Sequence, residues 1–151
     1  MDKYVTWVYD SKQSALALIV SNSFESTAIN FLTPDSFGMQ VAYMNRPKGE
    51  VIQAHIHEPV KRTLIGTQEV LYVRKGKIRV DFYEQDQTYV SSYVLQAGDL
   101  MLLNVGGHGF EIIEDVEMIE IKQGPYVEGK DKTRFIPDPN IEIVLSRESS
   151  L

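Results

Sequence analysis

At 151 residues, with 43% hydrophobic and 24% charged residues, the chain is long enough to bury one core and has the composition of an ordinary soluble globular domain. Its formal net charge of -6 argues against a general binder of nucleic acid or anionic membrane, both of which want clustered positive charge. The lack of cysteine excludes disulfides, thiolate catalysis and cysteine-ligated zinc.

The start MDKYVTWVYD has neither a basic leader nor a long apolar stretch, and the run Ala15 to Val20 falls far short of the roughly 20 apolar residues a membrane span needs. The expectation is one domain over 1–151, located in the cytoplasm. Trp7 and Tyr9 share a strand face and read as packing or dimer contact rather than a cofactor platform. Lys12 to Val20 reads as a short helix or a strand, with strand preferred for Ala15 to Val20. Period-2 alternation then dominates. Met39 to Met44 and Glu50 to His57 read as strands around the turn Asn45 to Gly49. Val70 to Arg74 and Lys77 to Tyr83 read as a hairpin about Lys75-Gly76, with glycine supplying a positive φ. In the second of these, Ile78, Val80 and Phe82 face a core while Lys77, Arg79 and Asp81 face water.

Tyr89 to Leu95 and Leu100 to Leu103 read as strands about the turn Gln96 to Asp99. After the break at Asn104 to Gly107, Gly109 to Ile113 and Glu117 to Lys122 read as strands separated by an acidic turn, Glu114-Asp115. The segment 124–139 reads as a turn-rich arm, and Ile141 to Leu145 as a returning strand. Short strands punctuated by turn signals predict an all-β sandwich or barrel.

Two of the three histidines lie in Gln53-Ala54-His55-Ile56-His57-Glu58. On a strand, His55 and His57 would project from one face about 6.6 Å apart, close enough for both imidazoles to reach one cation. Glu69 falls on the face of Leu71 and Val73, where a carboxylate costs several kcal/mol unless a cation neutralises it. His108 shares a face with Phe110 and Ile112.

Gly49, five residues, His55-x-His57, then Glu69, six residues, Gly76 resembles the first motif of the cupin superfamily. Gly98, five residues, Asn104-x-Gly106, then His108 resembles the second. The resemblance covers about 39–123 and leaves 124–151 as a C-terminal arm. It implies a double-stranded β-helix, the cupin jelly-roll barrel, with His55, His57, Glu69 and His108 as metal ligands. Eleven residues separate His57 from Glu69, more than the family's usual gap, so 58–68 reads as an inserted loop. Glu58 competes for the carboxylate role, although on a continuing strand it faces away from the histidines. Asn104 stands where proline is usual, His108 comes one residue early, and Ile112 stands where asparagine is frequent.

Three imidazoles and one carboxylate suit a divalent transition metal such as Fe, Mn, Ni, Co or Zn. Gln53 and Tyr43 are candidates for orienting the imidazoles and contacting substrate. The expected function is a metal-binding cupin that acts on or binds a small polar metabolite, such as a sugar or nucleotide sugar. The alternatives are a metal-independent sugar-nucleotide isomerase or epimerase with a histidine base, an Fe(II) dioxygenase, or a non-enzymatic ligand-binding module. The segments Glu120 to Tyr126 and Lys130 to Phe135 read either as a cationic rim or as a solvated loop. The expected partners are a small-molecule ligand and a second copy in a homodimer, with no nucleic acid and no membrane.

Overall fold

The computed structural model describes residues 3–127, 129 and 131–146. Eight strands run in chain order: β1 (Val5–Tyr9), β2 (Ala15–Val20), β3 (Asn30–Phe31), β4 (Ala42–Tyr43), β5 (Glu69–Tyr83), β6 (Tyr89–Gln96), β7 (Leu100–Leu103) and β8 (Gly107–Lys122). Among the described residues there is no helix, and so none long and apolar enough to cross a membrane. The all-β expectation holds. The chain divides into two compact units, one formed by Met1–Phe24 with Thr67–Leu151 and the other by Glu25–Gly66.

The first unit is a six-stranded antiparallel sheet in the order β1-β2-β7-β5-β6, with β8 also pairing β5. The sheet curls strongly into a half-barrel. Its concave core takes Ala17 and Ile19 from β2, Met101 and Leu103 from β7, Leu71, Val73, Ile78, Val80 and Phe82 from β5, and Leu95 from β6. These are the alternating apolar positions of each strand, and their burial drives the curl. On β1 the rings of Trp7 and Tyr9 stack with centroids 6.2 Å apart, as two same-face neighbours should.

Two expected turns are absent as turns. Val70 to Arg74 and Lys77 to Tyr83 are not a hairpin; β5 runs through Gly76 without reversing. Glu114-Asp115 does not end a strand either; β8 runs through it. The reason is that the two irregularities face each other. The register between β5 and β8 slips around Lys75 and Lys77, and Gly76, at φ 78°, lies against the backbone of Asp115. Glycine at positive φ is the signature of a bulge as well as of a tight turn, and a bulge bends a strand without breaking it.

The polar face of β5 is not fully wet. Asp81 and Ser92 are buried. Arg79 donates to both Asp81 oxygens at 2.8 and 3.0 Å, and Ser92 donates its hydroxyl to the same carboxylate. Burial pushes the Asp81 carboxyl up, but the Arg79 and Ser92 bonds outweigh it and hold the group below the usual carboxylate range. Removing the carboxylate strands Arg79 and Ser92, so Asp81→Ala is expected to cost about 3 kcal/mol at neutral pH. A depressed carboxylate stabilises the fold above its unfolded value near 3.9 and ceases to do so as pH falls through its lower folded value. Urea titrations at pH 7 and pH 3 should therefore show the gap between wild type and Asp81→Ala narrowing with acid.

The second unit pairs β3 with β4, Asn30 opposite Tyr43 and Phe31 opposite Ala42. Of the expected strand Met39 to Met44, only Ala42–Tyr43 is strand. The expected strand Glu50 to His57 is absent. The described strand pairings of its unit are those of β3 with β4 alone, and without a ladder an alternating sequence gains little from strand geometry. Val51, Ile52 and Ile56 are exposed accordingly. Ile141 to Leu145 likewise contributes one parallel bridge, Leu145 to Ser92, rather than a strand.

Candidate functional site

The first unit brings Glu69 and His108 together. Glu69 opens β5 and faces Lys122 at the end of β8, while His108 lies near the start of β8, opposite Phe82. The strong curl of the sheet carries the two ends of β8 towards each other. His108 Nε2 lies 3.5 Å from Glu69 Oε2, and Lys122 Nζ lies 3.4 Å from Glu69 Oε1 and 2.8 Å from Glu120 Oε1. The His108 imidazole against the carboxylate holds Glu69 below the usual carboxylate range; burial opposes this, and Lys122 adds to it. The cation that a carboxylate on this face requires is therefore supplied by the protein itself. His108 keeps 30% of its side chain exposed and Glu69 keeps 17%, so the imidazole is the more reachable of the two.

Amide groups flank the pair. Gln68 donates its Nε2 to Asn104 Oδ1, Asn104 Nδ2 donates to the Ala15 carbonyl, and the Gln68 backbone N–H donates to Gln123 Oε1. The Gln68 side-chain oxygen is buried without a hydrogen-bond partner among the described residues. Lys122 also lies 5.4 Å from the Tyr126 ring centroid and Lys132 6.0 Å from it, so part of the expected cationic rim gathers at one aromatic ring. Lys130, in the same expected rim, lies outside the described residues.

The second unit holds His55 and His57. Their rings meet edge to face with centroids 5.0 Å apart, although the backbone is not strand. His55 Nδ1 contacts the Gln53 carbonyl at 3.0 Å. Gln53 thus meets His55 through its backbone oxygen. Tyr43 sits on β4, and Glu58 is exposed. Among the described residues, no group of three or more histidine, aspartate or glutamate side chains is gathered closely enough to hold a metal ion.

The chain matches no family model, no curated protein and no solved structure. The reading of its chemistry therefore rests on its own side chains. Sequence reasoning placed Lys122 at the end of a strand, where β8 ends, but missed it as the partner of Glu69. The available signal was the opposite charge at the two strand ends, which becomes visible only once β5 and β8 are known to pair.

Proposed function

We propose that the Glu69–His108 pair is the chemical centre of a small-molecule enzyme that moves protons without a metal, of the isomerase or epimerase type. The observation that carries this reading is a reachable imidazole set against a carboxylate that Lys122 already neutralises. Histidine titrates near neutrality and can take and return a proton in one turnover. Glu69 lies against the ring and orients it. The flanking amides of Gln68, Asn104 and Gln123 bond to one another and to the backbone, which fixes the strand ends that carry Glu69 and Lys122. A jelly-roll barrel of the cupin kind, with its site in the concave face, suits this reading.

The test is hydrogen exchange rather than a guessed product. Protein stripped by exhaustive chelation is incubated in D₂O with a panel of hydroxy-carbonyl sugars and nucleotide sugars. NMR should then detect deuterium entering the carbon beside a carbonyl. A panel with no exchange at any carbon sinks the reading.

One observation favours the metal reading. Contact of His55 Nδ1 with the Gln53 carbonyl, made through Nδ1–H, leaves the Nε2 lone pair free for an ion, and His57 is adjacent. Two histidines fall short of the three or four protein ligands that a transition-metal site holds, and Glu69 already has Lys122. Elemental analysis of protein purified without chelator or nickel resin is expected to find well under one equivalent of transition metal, and a full equivalent lost in His55→Ala would favour the metal instead.

A further inference from the structure

The arm that follows β8 is tied down on both sides of the Glu69–His108 pair. On one side the Tyr126 ring centroid lies 5.4 Å from Lys122 Nζ, and Lys122 lies against Glu69. On the other, Phe135 packs edge-on against Tyr83, with centroids 5.1 Å apart. Two carbons of its ring stand 3.4 and 3.5 Å from where a Cβ on Gly107 would be. Gly107 is the chain neighbour of His108, and its lack of a side chain lets the arm approach this closely. Between the two ties the chain turns back. Val127 donates its N–H to Asp131 Oδ2 at 2.9 Å, and Asp131 donates its own to the Val127 carbonyl at 3.3 Å. The turn returns Lys132 to the Tyr126 ring, 6.0 Å from its centroid.

The rim so formed is unevenly matched in charge. Its acids are engaged: Glu69 by His108 and Lys122, Glu120 by Lys122, and Asp131 by the backbone of its own turn. The two cations of the arm are exposed, and no carboxylate of the described residues pairs with Lys132 or with Arg134. The amides beside the pair are spent on one another and on the backbone. What the rim has left to offer a ligand is therefore positive charge. In a chain whose acids outnumber its bases 21 to 15, two such cations two residues apart focus a local positive field beside the imidazole. An ammonium point charge and a guanidinium fork together suit the oxygens of a phosphoryl group, whereas a neutral sugar would use neither.

We propose that the Glu69–His108 centre takes a phosphorylated substrate, a hydroxy-carbonyl sugar carrying a phosphate or diphosphate, and that Lys132 and Arg134 grip its phosphoryl oxygens from the arm. The sugar end of this assignment rests on the proton-transfer reading. The phosphoryl end rests on the arm alone.

The test therefore reads binding apart from turnover. Inorganic pyrophosphate is titrated into the full-length protein, stripped by chelation, and amide shifts are followed by NMR. Shifts should move at Gly107 and His108 and along 131–135, and stay in place at Lys61 and Arg62, two exposed cations of the second unit. Lys132→Gln with Arg134→Gln should weaken pyrophosphate binding at least about tenfold, through loss of two charge-assisted contacts. Lys61→Gln with Arg62→Gln should leave it within about twofold, as expected for cations outside the grip. Phe135→Ala keeps both charges but removes the tie that places them, and should weaken binding too. Deuterium incorporation is then compared for a free hexose, its phosphate and a nucleotide diphosphate sugar, each well below saturation. The phosphorylated form preferred tells monoester from diphosphate, and the double variant should lose that preference. The two readings fail separately. Pyrophosphate binding that the double variant loses, with no deuterium entering any sugar, keeps the grip and sinks proton transfer. No pyrophosphate binding by wild type, equal affinity in the double variant, or incorporation as fast into the free hexose as into either phosphorylated form overturns the grip.

Discussion

His108→Gln is expected to lower the rate of solvent-deuterium incorporation by about 10²–10⁴-fold while leaving the fold intact, the range that loss of a positioned general base produces. The glutamine keeps hydrogen-bonding groups beside Glu69 but cannot carry a proton. The His108 side chain is partly exposed, so the substitution opens no cavity in the core. Glu69→Gln should be milder. It leaves the base in place and removes the carboxylate that orients the imidazole. Lys122 then keeps Glu120, an exposed pair of small energetic value, and the Tyr126 ring. The order His108→Gln worse than Glu69→Gln, at unchanged thermal midpoint, is the signature of a proton carrier backed by an orienting carboxylate. Equal and small effects would mark the pair as an ion pair and nothing more.

Gly76→Ala is expected to destabilise the protein by about 3 kcal/mol or more, the combined cost of a left-handed backbone in a residue with a Cβ and of a forced shift in packed surroundings. At φ 78°, a Cβ on residue 76 would be driven into the carbonyl oxygen of Asp115 across the sheet. The obstacle is backbone within a strand ladder, so it cannot swing aside as a side chain would. Gly49 is the control. It has φ 92° but open space around the same position, so Gly49→Ala should cost only about 1–2 kcal/mol. Urea unfolding of both variants, read at unchanged m-value, separates the clash from the dihedral cost. If both cost the same, the Gly76–Asp115 contact contributes nothing.

The strands whose apolar residues pack on a buried face were legible. Leu100–Leu103 falls where the sequence places it, β6 extends the expected strand by one residue, and Ala15–Val20 is a strand. Alternation there is enforced by burial on the concave face, which is a local signal. The bend at Gly76 and Asp115 was not legible, because a glycine at positive φ and an acidic pair look alike in a hairpin turn and in a bulge. Only the pairing of β5 with β8 separates the two. The stretch 50–57 alternates as well as any other, yet alternation records what a segment can do if it is paired, and the described strand pairings of its unit do not include it. For the site, Glu69 was marked by the conflict between its charge and its apolar neighbours. The partner that resolves the conflict, Lys122, lies 53 residues away and needed the register to be found.

β8 carries a further consequence. It is sixteen residues long and pairs with β5, and its sequence intersperses Phe110, Ile112, Ile113, Met118, Ile119 and Ile121 with Glu111, Glu114, Glu117 and Glu120. A long strand rich in apolar residues is the geometry from which fibrils grow, and recurrent carboxylates are what keeps two such strands from stacking on each other. Lys77 and Arg79 each neutralise one of these acids inside the molecule, so the guard is partly spent within the fold and the remaining like charge sets how tightly molecules can crowd. Colloidal behaviour and curvature are thus written on the same strand, and selection for one constrains the other.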